Sequence, residues 1–375
     1  MKALFITGGS MATVFPQASL ARAARDAGHE ILMAAPDSVT PVIAKAGLPP
    51  VSISARKKQQ FPQDIPDDPA AQMRLVGRWY ADVAVESVDL LLDLATDWRP
   101  DIVAGGGMFH TASLLAHRLA VPSVRQPWGM LDSGEYDAGA TERLRPLLGE
   151  LGLDRLPEPD LPIDVRPPSL ESPDEPPAQK MRWIPGNLQR PLERWMYTRG
   201  ERRRVFLTSG SRVTSEGTLH TMTVDFLRDV AQAIAALGTE VLVAVPDDVA
   251  SELLTGLDGE QIRAGWLPMD IVAPTCDLIV HHAGTGTSMT AMAAGVPELM
   301  LREPPSLGEM QPLIEFGNAI ELPKGEHTLD NIVSACDEML SNPTYRERAR
   351  ILAREIADLP LPSEVVGVME KLVAG

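Results

Sequence analysis

The hydrophobic pattern at the N-terminus alternates between buried strands and an amphipathic helix. An apolar run from Lys2 to Thr7 ends in two glycines and predicts a buried strand. Small apolar residues on one face then predict a helix from Pro16 to Ala27, with Pro16 in its first turn and Gly28 as its cap. A second apolar strand, residues 31–36, follows at once. This βαβ order implies a parallel sheet that is covered on both faces.

The same alternation continues along the chain and restarts after a proline-rich stretch. Prolines crowd residues 156–191, which predicts an extended surface segment that links two domains. The irregular stretches 54–68 and 129–142 predict no element. The remaining predicted elements are strands that start at Asp101, Val121, Val205, Glu240, Asp277 and Glu298, and helices over 70–97, 223–237, 287–294 and 363–373.

The two series of elements predict an α/β protein of two Rossmann-like domains, in agreement with a length of 375 residues. We expect an N-terminal domain over residues 1–190, a linker over 191–204 and a C-terminal domain over 205–360. We expect the last helix, residues 361–375, to pack back on the N-terminal domain. Two parallel-sheet domains of this kind face a cleft at the carboxyl ends of their strands, where ligands of open α/β folds bind.

Charge and cysteine content narrow the class of protein. The chain has 34 Lys and Arg against 51 Asp and Glu, a formal charge of −17, so it lacks the basic face that nucleic-acid binding requires. No apolar run approaches the roughly 18–20 residues of a spanning helix. Two cysteines, Cys276 and Cys336, can build neither a disulfide framework nor a four-thiolate metal site. We therefore expect a soluble cytoplasmic enzyme with no nucleic-acid or membrane partner; a homodimer is compatible with these features.

The strongest chemical signal lies between Asp277 and Pro297. A buried strand leads into a pair of histidines, His281 and His282, and then into a glycine turn and an alanine-rich helix that begins near Thr287. Such a turn places backbone N–H groups at the positive end of the helix dipole, which predicts a phosphate site with His282 as a further donor. The alternative is a plain strand-to-helix turn in which His281 is buried and hydrogen-bonded.

Other cofactor motifs are missing from the sequence. The loop lacks the lysine of GxxxxGK[ST], and residues 8–13 do not match GxGxxG, which disfavours a triphosphate P-loop and a nicotinamide cofactor. No Asp-x-Asp spacing occurs, so no metal is predicted to bridge the diphosphate. Upstream of the motif, Trp266 falls in an extended loop where its indole could stack on a nucleobase; the alternative is a core tryptophan.

Several segments resemble one enzyme family. HHAGTGTSMTAMAAGVP together with GWLPMDIVAPTCD resembles the nucleotide-sugar signature of family-one glycosyltransferases with the GT-B fold. GSMATVFP, GRWYADV, WRPDIVAGG, PLERWMYTR and VFLTSGSRV are similar to actinomycete deoxysugar transferases of aromatic polyketide biosynthesis, in particular the urdamycin-type olivosyl C-glycosyltransferases. The resemblance covers nearly the whole chain.

This resemblance implies two substrates, a dTDP-deoxyhexose as co-substrate and an aromatic polyketide aglycone, with no cofactor. The residues implied to bind the donor are His282, Ala283, Gly284, Thr285, Gly286, Thr287, Trp266, Leu267, Ser209, Gly210 and Ser211. The residues implied to bind the acceptor are Ser10, Met11, Phe15, Trp79, Met108, Phe109, Trp128 and Met130. Their apolar and aromatic character suits a flat polyketide.

The sequence departs from the family at the catalytic base. Many members carry a histidine in the first glycine-rich loop, which reads GGSMATVF here, and the urdamycin-type enzymes place an aspartate where this chain has Gly129. We predict Asp132 as the base in its place. Asp137, Glu135 and His110 are the other candidates. Since loop carboxylates are often simply solvated, the alternative for each is no catalytic role.

A second departure concerns the sugar. Many relatives hold sugar hydroxyls with an Asp-Gln pair, and Ser306 and Leu307 fall at that position here. The loss fits a donor with few hydroxyls, such as a 2,6-dideoxyhexose.

The resemblance therefore predicts inverting, metal-independent transfer of D-olivose to a ring carbon of the aglycone. An O-glycosyltransferase would share every donor residue. A nucleotide-sugar epimerase would need more acid–base groups near Ser306, and a noncatalytic partner protein should have lost the HHAGTGT turn.

Overall fold

The computed structural model describes the whole chain except residues 55–61, 63, 107–109, 131–133, 174, 211–221, 258, 260 and 303–309. The chain forms two compact units. The first comprises Met1–Arg166, Ser172–Gly186 and Leu359–Gly375, and the second comprises Pro167–Glu171 and Asn187–Asp358. The C-terminal residues therefore belong to the first unit.

The first unit is built on a seven-stranded sheet in the order β3-β2-β1-β4-β5-β6-β7, with every neighbouring pair parallel. Its described elements up to β7 are β1 (Lys2–Ile6), α1 (Met11–Asp26), β2 (Glu30–Pro36), α2 (Thr40–Lys45), β3 (Pro50–Ser54), α3 (Pro69–Asp97), β4 (Ile102–Gly106), α4 (His110–Leu119), β5 (Ser123–Gln126), α5 (Gly134–Glu150), β6 (Leu161–Asp164) and β7 (Gln179–Lys180).

The second unit is built on a six-stranded parallel sheet in the order β10-β9-β8-β11-β12-β13. Its described elements are α6 (Arg194–Tyr197), β8 (Arg204–Thr208), α7 (Val224–Ala235), β9 (Glu240–Ala244), α8 (Asp247–Leu253), β10 (Ile262–Gly265), α9 (Met269–Val272), β11 (Leu278–His281), α10 (Thr285–Ala294), β12 (Glu298–Leu301), α11 (Gln311–Phe316), β13 (Ala319–Leu322), α12 (Leu329–Ser341) and α13 (Pro343–Asp358). The last helix of the chain, α14 (Pro362–Ala374), packs on α1 of the first unit.

The predicted first helix is longer than its pattern indicated. It begins at Met11 rather than at Pro16, so the proline lies inside the helix. Proline removes the hydrogen bond to the carbonyl four residues earlier, which is that of Ala12. Because Ala12 is exposed, water can satisfy this carbonyl and the helix tolerates the proline. The prediction of Gly28 as the cap is confirmed by its positive φ of 89° just beyond the helix.

The proline-rich stretch is more regular than predicted. Residues 161–164 and 179–180 form β6 and β7, which pair in parallel and extend the first sheet at one edge. Prolines are tolerated there because edge strands and strand ends need fewer ladder hydrogen bonds.

Helix α5 occupies much of a stretch for which no element was predicted. Glycine and proline weaken its helical pattern, but the glycine has a packing role. A Cβ on Gly139 would lie 2.1 Å from the carbonyl oxygen of Arg74, and one on Gly77 would lie 2.0 Å from that of Tyr136. The two glycines therefore let α3 and α5 approach closely, which a reading of helix propensity alone cannot anticipate.

Candidate functional site

The first histidine of the pair, His281, is structural. It ends β11 with its side chain fully buried, and its Nε2 lies 3.0 Å from Oε2 of Glu298, which is also fully buried on β12. Burial raises the pKa of Glu298, and the hydrogen bond to His281 opposes that rise. The buried, hydrogen-bonded state that the sequence left open as the alternative for His281 is therefore the one observed. The pair ties β11 to β12 directly beneath the turn.

The second histidine, His282, is half-buried and fits between two glycines. A Cβ on Gly210, which follows β8, would lie 2.5 Å from Cε1 of the His282 ring, and one on Gly284 would lie 2.6 Å from its Nε2. Gly210 also has a φ of 68°, which side chains disfavour. Ala283, between the histidine and the helix, has a φ of 59°, a strained conformation of the kind that concentrates at functional sites. These residues therefore fix the imidazole at the carboxyl edge of the sheet.

Helix α10 starts immediately after this turn. Gly284 is its N-cap and offers no side chain to the first N–H groups. Thr285 is buried, Thr287 is half-buried, and a Cβ added at Gly286 would meet no described heavy atom within 4 Å. A glycine N-cap at the positive end of a ten-residue helix, with no described side chain over Gly286, is a geometry that can bind an anion.

The remaining predicted donor residues lie along the same edge of the second sheet. Trp266 and Leu267 follow β10; the tryptophan is half-buried, and the Leu267 side chain packs in the core. Ser209 and Gly210 follow β8, and the Gly210 N–H donates to Oγ1 of Thr208 at 2.9 Å. Ser211 lies outside the described residues.

The sheet order sets the distance between the two ends of this site. Strand β10 is three positions from β11. Strands β9 and β8 lie between them, and Gly210 follows β8. At about 4.8 Å per strand, the strand that precedes Trp266 and the strand that precedes His282 lie roughly 14 Å apart across the sheet. That span is comparable with an extended nucleoside diphosphate, so a base on Trp266 and a diphosphate on α10 are geometrically compatible.

The predicted acceptor residues lie in the first unit. Ser10 is the N-cap of α1, and Met11 and Phe15 are half-buried in its first turns. On α3 the rings of Trp79 and Tyr80 lie 4.6 Å apart, and Tyr80 lies 5.2 Å from the buried Trp128. Met130 is also buried. Met108 and Phe109 fall outside the described residues. The structure thus joins Trp79 and Trp128 into one aromatic cluster through Tyr80.

The described candidates for the catalytic base are already engaged. Arg125 on β5 binds Asp137 in a bidentate pair, with both N–O distances at 2.7 Å. His110, the first residue of α4, is buried, and its Nδ1 lies 3.7 Å from Oδ1 of Asp137. These three residues line a cavity of about 200 Å³ in the first unit. Asp132 lies outside the described residues, and Glu135 is paired with Arg74.

Burial lowers the pKa of His110 to about 4, so the folded protein resists its protonation. Between pH 6.5 and 4, His110 is protonated in the unfolded chain and still neutral in the folded chain. The free energy of unfolding therefore decreases as the pH falls through this range. We expect the loss to reach about 3 kcal/mol and His110→Asn to remove most of it. Chemical denaturation at pH 7 and pH 4.5 measures this difference. Equal pH dependence in both proteins would contradict the assignment.

Sequence reasoning missed the residues that support the site. Glu298 accepts a hydrogen bond from His281. The sequence feature that could have identified it is an acidic residue at the start of the predicted buried strand ELML. Asp247 accepts a hydrogen bond from the backbone N–H of Trp266 at 2.9 Å. No local sequence pattern predicts this contact, because the two residues are 19 positions apart. Arg125 is similarly separated from Asp137.

Two further properties concern the described part of the chain. No helix there is both long and apolar enough to span a bilayer. Within the same residues, no three His, Cys, Asp or Glu side chains cluster in a way that could hold a metal ion.

Two α/β units, each built on a parallel sheet, are the architecture of the GT-B glycosyltransferases. Glycosyltransferase SsfS6 of Streptomyces sp. SF2575, solved with thymidine diphosphate, superposes with a TM-score of 0.86 at 30% identity over 99% of both chains. Spinosyn rhamnosyltransferase SpnG, also solved with thymidine diphosphate, gives 0.87 at 26% identity over 99% of this chain and 100% of the other. The predicted fold class is confirmed.

The sequence comparisons agree and narrow the class. The erythromycin biosynthesis protein CIII-like N-terminal domain matches residues 22–210, and the C-terminal domain of the same description matches residues 228–372. The L-demethylnoviosyl transferase of Streptomyces niveus is 30% identical over 97% of this chain and 96% of its own length. The chain belongs to the erythromycin biosynthesis protein CIII-like family of glycosyltransferases, which confirms the prediction of a glycosyltransferase.

Proposed function

We propose that this protein transfers a deoxyhexose from a dTDP-sugar to a polyketide aglycone. The observation that carries the proposal is the order of elements along one sheet edge, with Trp266 at one end, Gly210 in the middle and His282 with the start of α10 at the other. Two structural relatives bind thymidine diphosphate, and one of them has also been solved with the spinosyn aglycone. Both facts favour a thymidine nucleotide as the donor carrier here.

In this proposal the glycine turn stabilises the leaving group. Negative charge develops on the diphosphate as the bond to C1 of the sugar breaks. The proposed donors are the N–H groups of α10, the hydroxyls of Thr285 and Thr287 and the imidazole of His282. Because these groups are oriented before the reaction, they need no reorganisation as the bond breaks. Preorganised donors of this kind commonly contribute the largest share of catalysis.

We further propose that the acceptor is an aromatic polyketide, that the sugar is D-olivose and that the new bond is carbon–carbon. The aromatic side chains around Trp79 and the resemblance to the urdamycin-type enzymes support this choice. A base removes the phenol proton of the acceptor, which raises electron density at the neighbouring ring carbon. That carbon attacks C1 from the face opposite the diphosphate as the bond from C1 to the diphosphate oxygen breaks. The ring carbon then loses its proton and the phenol oxygen regains one, which restores the aromatic ring. Because a phenol with a pKa near 10 is itself acidic, a weak base suffices.

The base remains the predicted Asp132, with Asp137 and His110 as alternatives. The bidentate Arg125 partner disfavours Asp137, because proton uptake would break an ion pair. His110 is neutral near pH 7 and retains a basic nitrogen, but its burial restricts access.

Incubation with dTDP-olivose and a polyphenolic aglycone, followed by acid treatment, tests the finer proposal. We expect an acid-resistant glycoside with inverted configuration at C1. An acid-labile product would establish an oxygen linkage in its place. Intact donor with tight nucleotide binding would show that the acceptor class is wrong.

Gly286 offers a direct test of the diphosphate site. Since a Cβ there meets no described atom, Gly286→Ala should leave the melting temperature unchanged or slightly raised. The added methyl would intrude on the space assigned to the diphosphate, so we expect thymidine diphosphate to bind about tenfold more weakly. Calorimetry on both proteins measures this effect, and Gly367→Ala, at an equally open position on α14, is the matched control. Unchanged binding would place the diphosphate elsewhere.

A further inference from the structure

The polar groups of Trp266 are held by two short segments of the second unit. Its backbone N–H donates to Oδ1 of Asp247 at 2.9 Å, and its carbonyl accepts from Nη1 of Arg190 at 3.1 Å. Its indole Nε1–H donates to the carbonyl of Leu188 at 3.2 Å. Backbone and ring are therefore both fixed, and the ring orientation depends on the segment that carries Leu188.

Asp247 is the junction of this arrangement. Its carboxylate also receives Nη1 of Arg190, at 2.9 Å to Oδ1 and 3.2 Å to Oδ2. The N–H of Trp266 and the Arg190 guanidinium hold the pKa of Asp247 below its usual value. Immediately before the tryptophan, Gly265 has a φ of 152°, and a Cβ there would lie 3.3 Å from Oδ1 of Asp247. The glycine thus leaves room for the carboxylate to reach the Trp266 N–H.

Residues 187–190, which include Leu188 and Arg190, are also held by a second carboxylate. The amides of Asn187 and Gln189 donate to the two carboxylate oxygens of Asp270, at 3.0 and 2.9 Å. Asp270 lies on α9, four residues after Trp266, so the segment is tied to the same loop on both sides of Leu188. A buried tryptophan usually needs only one hydrogen-bond partner, for its indole N–H. Here the backbone N–H and carbonyl of Trp266 are held by charged side chains as well.

We infer that Asp247 and Arg190 are positioning residues for the donor nucleobase, acting through Trp266, and that residues 187–190 form part of the donor site. The inference rests on the proposed function for the identity of the base. A stacking platform serves ground state and transition state alike. Loosening it therefore raises KM for the donor and leaves kcat nearly unchanged.

Asp247→Ala, Asp247→Asn and the matched control Asp248→Asn test this inference. Asp248 is the exposed neighbour on α8, and its side chain makes no hydrogen bond or ion pair with another described residue. Because Asp247 is 64% exposed, its ion pair is worth little and the expected effects are moderate. We expect Asp247→Ala to raise the donor KM and the Kd of thymidine diphosphate about fivefold, with kcat unchanged. Asp247→Asn, which can still accept the backbone N–H, should have a smaller effect, and Asp248→Asn none.

A second readout needs no ligand. The contribution of Trp266 to acrylamide quenching is obtained by difference from Trp266→Phe, and it should increase in Asp247→Ala. Equal quenching and equal nucleotide binding in Asp247→Ala and Asp248→Asn would overturn the inference. If the unaltered protein binds no thymidine diphosphate, the proposed function fails, and quenching alone then decides whether Asp247 orients the indole. A fall in kcat with KM unchanged would assign Asp247 a different role.

Discussion

Replacing His282 with alanine is expected to lower kcat about 100-fold, and no less than tenfold, because it removes a preorganised donor to the developing diphosphate charge. The ring lies at the carboxyl edge of β11, fixed between Gly210 and Gly284, so the substitution deletes chemistry without removing a core side chain. Donor KM should change much less than kcat, since the interaction strengthens as the bond to the sugar breaks.

His117→Ala is the matched control for this experiment. His117 is exposed in the last turn of α4. Its replacement removes the same imidazole group at a position outside the proposed donor site. We expect its rate to equal that of the unaltered enzyme. Steady-state kinetics with a fixed saturating acceptor measures both variants. Near-normal turnover in His282→Ala would remove the histidine from the leaving-group role.

Replacing Glu298 with alanine is expected to cost about 3 kcal/mol of unfolding free energy or more, because it leaves His281 buried without its partner and opens a cavity. Both side chains are fully buried and 3.0 Å apart. For a unit of this size, that loss corresponds to a fall of roughly 6–12 °C in melting temperature. The same change should weaken nucleotide binding, because Glu298 holds His281 at the end of β11, directly before the turn that contains His282.

Glu298→Gln separates the hydrogen bond from the charge. The amide keeps the volume and can still accept from His281, so we expect it to recover most of the lost stability. Thermal unfolding followed by circular dichroism compares the three proteins. Equal melting temperatures for Glu298→Ala and the unaltered protein would show that the pair does not support the turn.

The elements that the sequence predicted correctly are those whose signal is local. Buried strands such as β1 and β11 are short apolar runs, and the HHAGTGT turn combines a strand end, glycines and a helix start within a few residues. The turn that we propose as the diphosphate site could therefore be predicted from the sequence alone. Its precise spacing could not, because the distance from Trp266 to His282 depends on strand order rather than on sequence separation.

The predictions that failed involve tertiary compensation. Helix α5 contains glycine and Pro146, and only the close approach of α3 explains why Gly139 is useful there. Strands β6 and β7 form in the proline-rich stretch because they pair with the edge of the first sheet, next to β5. The partners Asp247 and Glu298 are remote in sequence from the residues they hold, and one sequence carries no signal that links them.

The central claim is that a thymidine diphosphate lies along the carboxyl edge of the second sheet with its diphosphate on the start of α10. Calorimetric titration of the unaltered protein with thymidine diphosphate and with thymidine tests it most directly. We predict one bound nucleotide per chain, and an affinity for the diphosphate at least about tenfold higher than for the nucleoside, because charge-assisted hydrogen bonds to the turn supply the difference. No heat with thymidine diphosphate, or equal affinities for the two compounds, would contradict the account.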